Sequence, residues 1–290
     1  MSAKVIFALD IGGTSIKYGI IDFKYDILFS SSVKTKKEKM IFQVEKLILE
    51  AKKSYDFDYV AISSAGVVDS NSNKITYTNS DYRIWTGFDF NIVARNTNTK
   101  IAMINDANAA ALSELVSKKH DSFVSITLGT GLGAGIVYNG EIFQGKNFLG
   151  GEIGNNLAFK NQKEKINEGL SFSRFNKKIS QKFKIKSKTP SVYYPKLYKE
   201  NQNFKVLFNN YASKLAYWSF VIAIILNVDH VYIGGAFSFV DDFLFDKAKD
   251  IFISMQDDSP YKISFSKASY KNNAGIIGAT YFLKQKFNLA

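Results

Sequence analysis

The 290-residue sequence contains no cysteine, only two histidines (His120 and His230) and only three prolines. Without cysteine there is no disulfide framework, no thiol nucleophile and no cysteine-ligated zinc or iron–sulfur site. Two imidazoles cannot build a multi-histidine metal centre. So few prolines leave few hard breaks, and neither a low-complexity linker nor a repeat of solenoid period is evident. Long hydrophobic runs are missing too. The apolar stretch Leu215–Val228 is too short to cross a bilayer and reads as a buried helix. Met1–Asp10 has no charged leader region and no small-residue cleavage site, so a cytoplasmic location without a membrane partner is the expectation.

What is present is an ordinary globular composition, 46% hydrophobic and 22% charged. That suits one large domain or two of usual size, with a sizeable core. The formal net charge is +12 and is unevenly spread. Residues 160–205 hold thirteen basic side chains against three acidic ones, most of the total. One reading is a polyanion surface, with Phe172, Phe175, Phe183, Tyr193 and Tyr194 available for stacking. The other is a solvated lysine-rich face, the usual fate of a charge block, and on that ground no nucleic acid partner is expected.

Periodicity predicts strands at Val5–Asp10, Ser15–Asp22 and Asp26–Ser32 and a helix over Lys39–Lys53. Further strands are predicted at Tyr59–Ser63 and Ile101–Ile104, then a helix at Ala107–Ser117. The pattern then restarts. Phe123–Leu128 is a strand, Gly129–Gly133 a turn and Ala134–Tyr138 a strand. A helix over Tyr211–Asn227, a strand at His230–Ile233 and a final helix at Ala274–Lys286 follow. A strand–glycine turn–strand unit thus occurs twice, which suggests two α/β lobes.

Chemistry concentrates at five places. The first turn is Asp10-Ile11-Gly12-Gly13-Thr14, with Lys17 beyond it. Adjacent glycines let backbone N–H groups approach an anion, Thr14 adds a hydroxyl, and Asp10 could hold hydrated Mg²⁺ beside phosphates. The second turn, Gly129-Thr130-Gly131-Leu132-Gly133, repeats the recipe. Neither is a Walker A loop. Gly129, Gly131 and Ala134 fit a relaxed dinucleotide fingerprint, but that motif needs a helix after the turn, and a strand is predicted there. Each turn alone could be a plain hairpin; as a pair they suggest a phosphate clamp. In Asn105-Asp106-Ala107-Asn108, either Asp106 or Asn105 caps a helix, or Asp106 is a general base with Asn105 binding a neighbouring hydroxyl. Glu152, between Gly151 and Gly154, is either a polyol-binding carboxylate or part of a loop. Gly234-Gly235 is either an adenosine platform or a strand-to-helix turn.

In this order, the elements resemble the ROK family of sugar kinases and sugar-responsive repressors, within the actin-like and hexokinase-like ATPase superfamily. The resemblance covers nearly the whole chain. It implies an α/β, two-lobed actin-like ATPase (ribonuclease H-like) fold with a cleft between lobes, residues 1–107 plus 274–290 forming one and 108–273 the other. Asp10, Gly12, Gly13, Thr14 and Lys17 look like the first phosphate motif, with Asp10 near the metal. Gly129, Thr130, Gly131 and Gly133 look like the second, and Gly234 and Gly235 like the adenosine motif. Asp106 matches the family's catalytic base. Gly66, Asn79, Asn105, Glu152 and Asn155 fall where the family contacts sugar, and Glu168 is a candidate further sugar ligand. The implied activity is ATP- and Mg²⁺-dependent phosphorylation of the primary (6-) hydroxyl of a hexose or N-acetylhexosamine, of glucose or N-acetylmannosamine type. A homodimer is implied as well. The alternative is a non-catalytic sugar-binding regulator derived from such a kinase.

Two departures stand out. Ala65 replaces a usual proline, and Asn155 replaces a usual histidine that ligates zinc with three cysteines. With no cysteine, no zinc is expected, as in the zinc-less branch. The first phosphate strand starts almost at the first residue, which leaves no room for the repressors' helix-turn-helix.

Overall fold

The computed structural model describes residues 4–78, 80–117, 119–154 and 165–289. The chain divides into two units. Unit 1 comprises Met1–Lys119, Ile142–Gly150 and Asn272–Ala290; unit 2 comprises His120–Glu141 and Gly151–Lys271.

Unit 1 is built on strands β1 (Val5–Ile11), β2 (Ser15–Asp22), β3 (Ile27–Lys34), β4 (Tyr59–Ser64) and β7 (Lys100–Asn105), ordered β3-β2-β1-β4-β7. A small hairpin, β5 (Val67–Asp69) and β6 (Lys74–Tyr77), follows β4. The first three strands form an antiparallel meander, while β1, β4 and β7 run parallel. Alternation assigns the two faces. Phe7, Leu9, Val60, Ile62, Ile101 and Met103 share a core with Val44 and Ile48 of α1 (Met40–Ala51) and Phe90 and Val93 of α2 (Phe90–Thr97). The opposite positions carry alanines in register, Ala8 beside Ala61 and Ala61 beside Ala102. This small-residue face admits the C-terminal helix α9 (Ala274–Lys286), which packs on β1, β4, β7 and on α3 (Asp106–Leu115).

Helix α3 therefore belongs to unit 1. The boundary after Ala107 read from the sequence falls one helix too early, because α3 and α9 pack backbone to backbone. A Cβ at Gly278 would overlap the Ala109 carbonyl. Residues 142–150 also belong to unit 1, against the expectation.

Unit 2 repeats the sheet plan. Strands β8 (Phe123–Leu128), β9 (Leu132–Tyr138), β10 (Glu141–Ile142), β11 (His230–Gly235) and β12 (Ser264–Lys267) are ordered β10-β9-β8-β11-β12. The β8–β9 pair is an antiparallel hairpin, so no helix follows the second glycine turn and the dinucleotide fingerprint is excluded. Helices α4 (Ile166–Leu170), α5 (Phe172–Phe183), α6 (Tyr194–Glu200), α7 (Gln202–Leu226) and α8 (Asp242–Ser254) supply the rest. Their core is aromatic: Phe172, Phe175, Tyr194, Tyr198, Phe204, Phe208 and Tyr211 cluster on β8 and β11. This corrects the stacking surface considered above. Phe172, Phe175 and Tyr194 are buried and face inward, whereas Tyr193 alone of the five is fully exposed. Leu215–Leu226 of the apolar run lies in the C-terminal half of α7, which ends at the left-handed cap Asn227 and begins nine residues before the predicted start. No helix among the described residues is long and apolar enough to cross a membrane.

Candidate active site

The parallel strands of unit 1 bring their carboxyl ends to one edge of the sheet, the edge where ligands bind in open α/β sheets. Register places Asp10 beside Ser63, Ile11 beside Ser64, and Ser64 beside Asn105. The wholly buried Ser63 donates its hydroxyl proton to Asp10 Oδ1 at 2.6 Å. Asp10 also lies across from Lys17 on β2. Burial pushes the Asp10 carboxyl up from its usual range, against the Ser63 hydrogen bond and the Lys17 charge. Burial likewise pulls Lys17 down, against the charge of Asp10. The Lys17 ammonium is anchored on the Asn272 carbonyl at 2.6 Å and on Asn273 Oδ1 at 3.0 Å, at the start of α9.

The first turn of α9 reaches Asp10 only because its second residue is glycine. A Cβ at Gly275 would stand 2.6 and 2.8 Å from the two carboxylate oxygens. The carboxylate is thus held by the Ser63 hydroxyl, with the Lys17 charge acting on it and the N-terminus of α9, whose dipole favours an anion, beside it. Gly12 and Gly13 form the β1–β2 turn, closed by a Gly12 N–H to Ser15 carbonyl bond of 3.0 Å, with Thr14 exposed. The Thr35 hydroxyl donates to the Gly12 carbonyl at 2.6 Å, and the Tyr82 ring lies directly on Gly13.

The capping question is resolved in favour of Asn105. Its Oδ1 accepts from the Ala107 and Asn108 N–H groups at 2.9 and 3.1 Å. Its Nδ2 donates to the Gly66 carbonyl at 2.9 Å, so one amide hydrogen is committed inside the protein. Gly66 adopts φ +99°, a left-handed conformation that a side chain would strain. Asp106, the first residue of α3, also accepts from the Ala107 N–H, at 2.9 Å on Oδ1, and is exposed at the carboxyl edge of β7. Unit 1 therefore brings Asp10, Gly12, Gly13, Thr14, Lys17, Gly66, Asn105 and Asp106 to one edge.

In unit 2 the second glycine turn is closed by a Gly129 N–H to Gly131 carbonyl bond of 3.0 Å, with Thr130 exposed and Gly133 on the return strand. Two side chains brace it from behind. Asn167 Oδ1 accepts from the Leu132 N–H at 2.6 Å, and the Ser171 hydroxyl donates to the Thr130 carbonyl at 2.6 Å. Gly234 and Gly235 close β11 beside Thr127 and Leu128. Gly235 has φ +67°, and a Cβ there would meet Leu128 backbone atoms at 2.6–2.8 Å. Here a 3-10 turn, Ala236–Phe239, follows the strand. Gly151 and Gly154 are tight packing points rather than loose hinges: a Cβ at either would collide with a β9 carbonyl, Ala134 or Leu132. Glu152 is held between them beside the second turn, and burial raises its pKa above the usual carboxylate range. Glu168 is engaged elsewhere, 3.2 Å from Arg174. Asn79 and Asn155 lie outside the described residues.

Ser63, Gly275, Asn273, Tyr82, Asn167 and Ser171 are absent from the sequence reading. All of them act across long chain separations that no local pattern reports. A faint signal existed for Gly275 and Gly278, two glycines inside a helix that propensity disfavours.

Residues 6–286 match the ROK family. An N-acetylmannosamine kinase of Haemophilus influenzae is 27% identical over 96% of this chain and 94% of its own length. Among solved structures, a ROK family protein of Streptococcus pneumoniae in complex with sucrose superposes with a TM-score of 0.87 at 20% identity, covering 99% of this chain and all of that one. A ROK family glucokinase of Streptomyces griseus in complex with glucose and AMPPNP gives a TM-score of 0.81 at 21% identity, over 97% of this chain and 99% of that one. The duplicated glycine-turn sheets, the exposed Asp106 beside its capping asparagine and a family match over nearly the whole sequence identify the chain as a member of the ROK family, with the actin-like ATPase fold.

Proposed function

We propose that this protein is a sugar kinase that moves the γ-phosphoryl group of ATP to the primary (6-) hydroxyl of a hexose or N-acetylhexosamine, of glucose or N-acetylmannosamine type. The observation that carries the reading is the division of labour at β7. Asn105 occupies the helix N-cap, and Asp106 presents an exposed carboxylate, one oxygen of which accepts from the Ala107 N–H at 2.9 Å, at the edge that also bears Asp10. The kinases among the chain's relatives support the same class.

Asp106 accepts the proton of the 6-hydroxyl as its oxygen attacks the γ-phosphorus; the bond from that phosphorus to the bridging oxygen breaks, and ADP leaves. Gly66, Asn79, Asn105, Glu152 and Asn155 are the proposed sugar contacts. Gly12, Gly13, Thr14 and Lys17 present N–H groups, a hydroxyl and an ammonium to phosphates, and Gly129, Thr130, Gly131 and Gly133 do the same from unit 2. Gly234 and Gly235 leave flat, side-chain-free backbone for adenosine. The donor set at Asp10 fits Mg²⁺, since its carboxylate, whose charged form burial disfavours, gains from a hard cation. When bound, that ion neutralises phosphate charge.

The test is ADP release with Mg-ATP across glucose, mannose, fructose, N-acetylglucosamine, N-acetylmannosamine and a β-glucoside, with the phosphorylated position read by NMR. A 6-phosphate from one of these sugars is the expected result. A sugar that binds and shifts the melting temperature without any ADP release would favour a non-catalytic regulator instead.

A further inference from the structure

One aromatic side chain outside the assigned residues joins the first glycine turn to the sugar-side elements. The Tyr82 ring lies on Gly13, where even a Cβ would overlap it. Its other contacts fix it there. It stacks on the fully buried Trp85 at 5.0 Å and 26°, and the Lys37 ammonium stands 4.7 Å from its centroid. Trp85 is itself pinned by its indole N–H to the Lys37 carbonyl, 3.0 Å. From the backbone of Tyr82 the contacts continue. Its carbonyl accepts from the Thr78 hydroxyl at 2.6 Å. Thr78 Cγ2 crowds Gly66, 2.7 Å from where a Cβ would stand. The Gly66 carbonyl takes the Asn105 amide, and Asn105 caps the helix that begins with Asp106. Every member of this chain lies in unit 1.

We propose that Tyr82 is a positioning residue that couples sugar occupancy to the phosphate turn. This rests on the kinase reading above. A sugar contacting Gly66 bears on Thr78 and so on the seat of the ring; the seated ring in turn fixes the Gly12–Gly13 backbone that receives phosphate. Such coupling is a linkage between the two ligands, each tightening the other's binding by the same factor. The residue is expected to govern how strongly sugar tightens nucleotide binding, and not which sugar is chosen.

The experiment measures, by calorimetry, the affinity for a Mg²⁺-bound non-hydrolysable ATP analogue with and without the saturating active sugar. In the wild type the sugar tightens nucleotide binding by about 5-fold or more, an ordinary coupling. Tyr82→Ala brings that ratio close to one, raises the KM for ATP at saturating sugar, and by reciprocity weakens sugar binding to the nucleotide complex by the same factor, with sugar binding to the free enzyme unchanged. Tyr82→Phe keeps the ring and keeps the ratio. If Tyr82→Ala does not fold, Thr78→Val decides, because it keeps the bulk against Gly66, removes the hydroxyl's bonds to the Tyr82 carbonyl and to Thr86 Oγ1, and is expected to weaken the coupling, with Thr86→Val as the control that removes the second bond alone. A lowered melting temperature with the full ratio preserved in Tyr82→Ala, or in Thr78→Val, would show a merely structural ring and overturn the proposal. So would a wild type that turns over sugar with a ratio of one, which leaves the kinase reading intact. A wild type that releases no ADP with any sugar overturns both.

Discussion

Replacing Gly275 by alanine sets two effects of opposite sign against each other. Helix propensity favours alanine over glycine by about 1 kcal/mol in a helix interior, and by less in the first turn where Gly275 sits. Against that, the new methyl group falls on the Asp10 carboxylate, 2.6 and 2.8 Å from its oxygens. The carboxylate is the end of a short side chain and can swing away, but it then gives up the 2.6 Å bond from Ser63. Ser63 is wholly buried, so its stranded hydroxyl costs about 1–3 kcal/mol. If the carboxylate stays, overpacking costs a similar ~1–3 kcal/mol. The clash outweighs the propensity gain, and the net loss is about 1–2 kcal/mol, a melting temperature lower by a few degrees. If Asp10 meets the metal as proposed, activity suffers more, since a displacement of about 1 Å costs about 10²-fold in rate. Thermal melts and ADP release on Gly275→Ala test both halves. A variant at least as stable as the wild type, with full turnover, would refute the seating of Asp10 against α9.

Gly278→Ala should be worse for stability and carries no special role in chemistry. Its Cβ strikes the Ala109 carbonyl, which is backbone and cannot turn aside, so a urea titration should show a loss near the upper end of the ~1–3 kcal/mol overpacking range. Asn105→Ala removes the α3 cap and the donor to Gly66, a loss of about 2 kcal/mol by urea titration, with amide exchange quickened first at Asn108, since the Ala107 N–H keeps Asp106 Oδ1 as acceptor. Glu152→Gln should stabilise the protein as it weakens sugar binding. Burial raises the folded-state pKa of Glu152, so the protonated form is favoured in the fold; that contribution is complete at acid pH and is lost as pH rises through the folded pKa. The melting temperature of Glu152→Gln should therefore match the wild type near about pH 4 and exceed it by a growing margin towards pH 7. Parallel curves would show that the carboxylate is well solvated.

Much of this architecture is written in local pattern. The limits of β2, β8 and α9 coincide with those predicted, because each is a compact, largely apolar run bounded by glycine or polar residues. The exclusion of a dinucleotide site was also legible, since the β-branched run Ile136-Val137 leading into the Asn139-Gly140 turn reads as a strand and not a helix. The basic segment was not. Phe204, Phe208 and Tyr211 form a helical stripe, but lysines and asparagines between them hide the start of α7. The unit boundary failed for a different reason. Nothing in Asp106–Leu115 reports that its alanine surface meets Gly278, more than 150 residues on. The same holds for the site. Asp10, Asn105 and Asp106 announce themselves by motif, whereas Ser63, Gly275 and Tyr82 become visible only when strand register and helix packing bring distant segments into contact.

The central claim is that Asp106 takes the proton from a sugar hydroxyl. Asp106→Asn keeps size and polarity and leaves the Asn105 cap in place, so folding should be preserved. The decisive measurement is the turnover number of this variant with Mg-ATP and the active sugar, beside its sugar-induced thermal shift. The account predicts a fall of about 10²–10⁴-fold in rate with the thermal shift retained. A near-normal rate would contradict it.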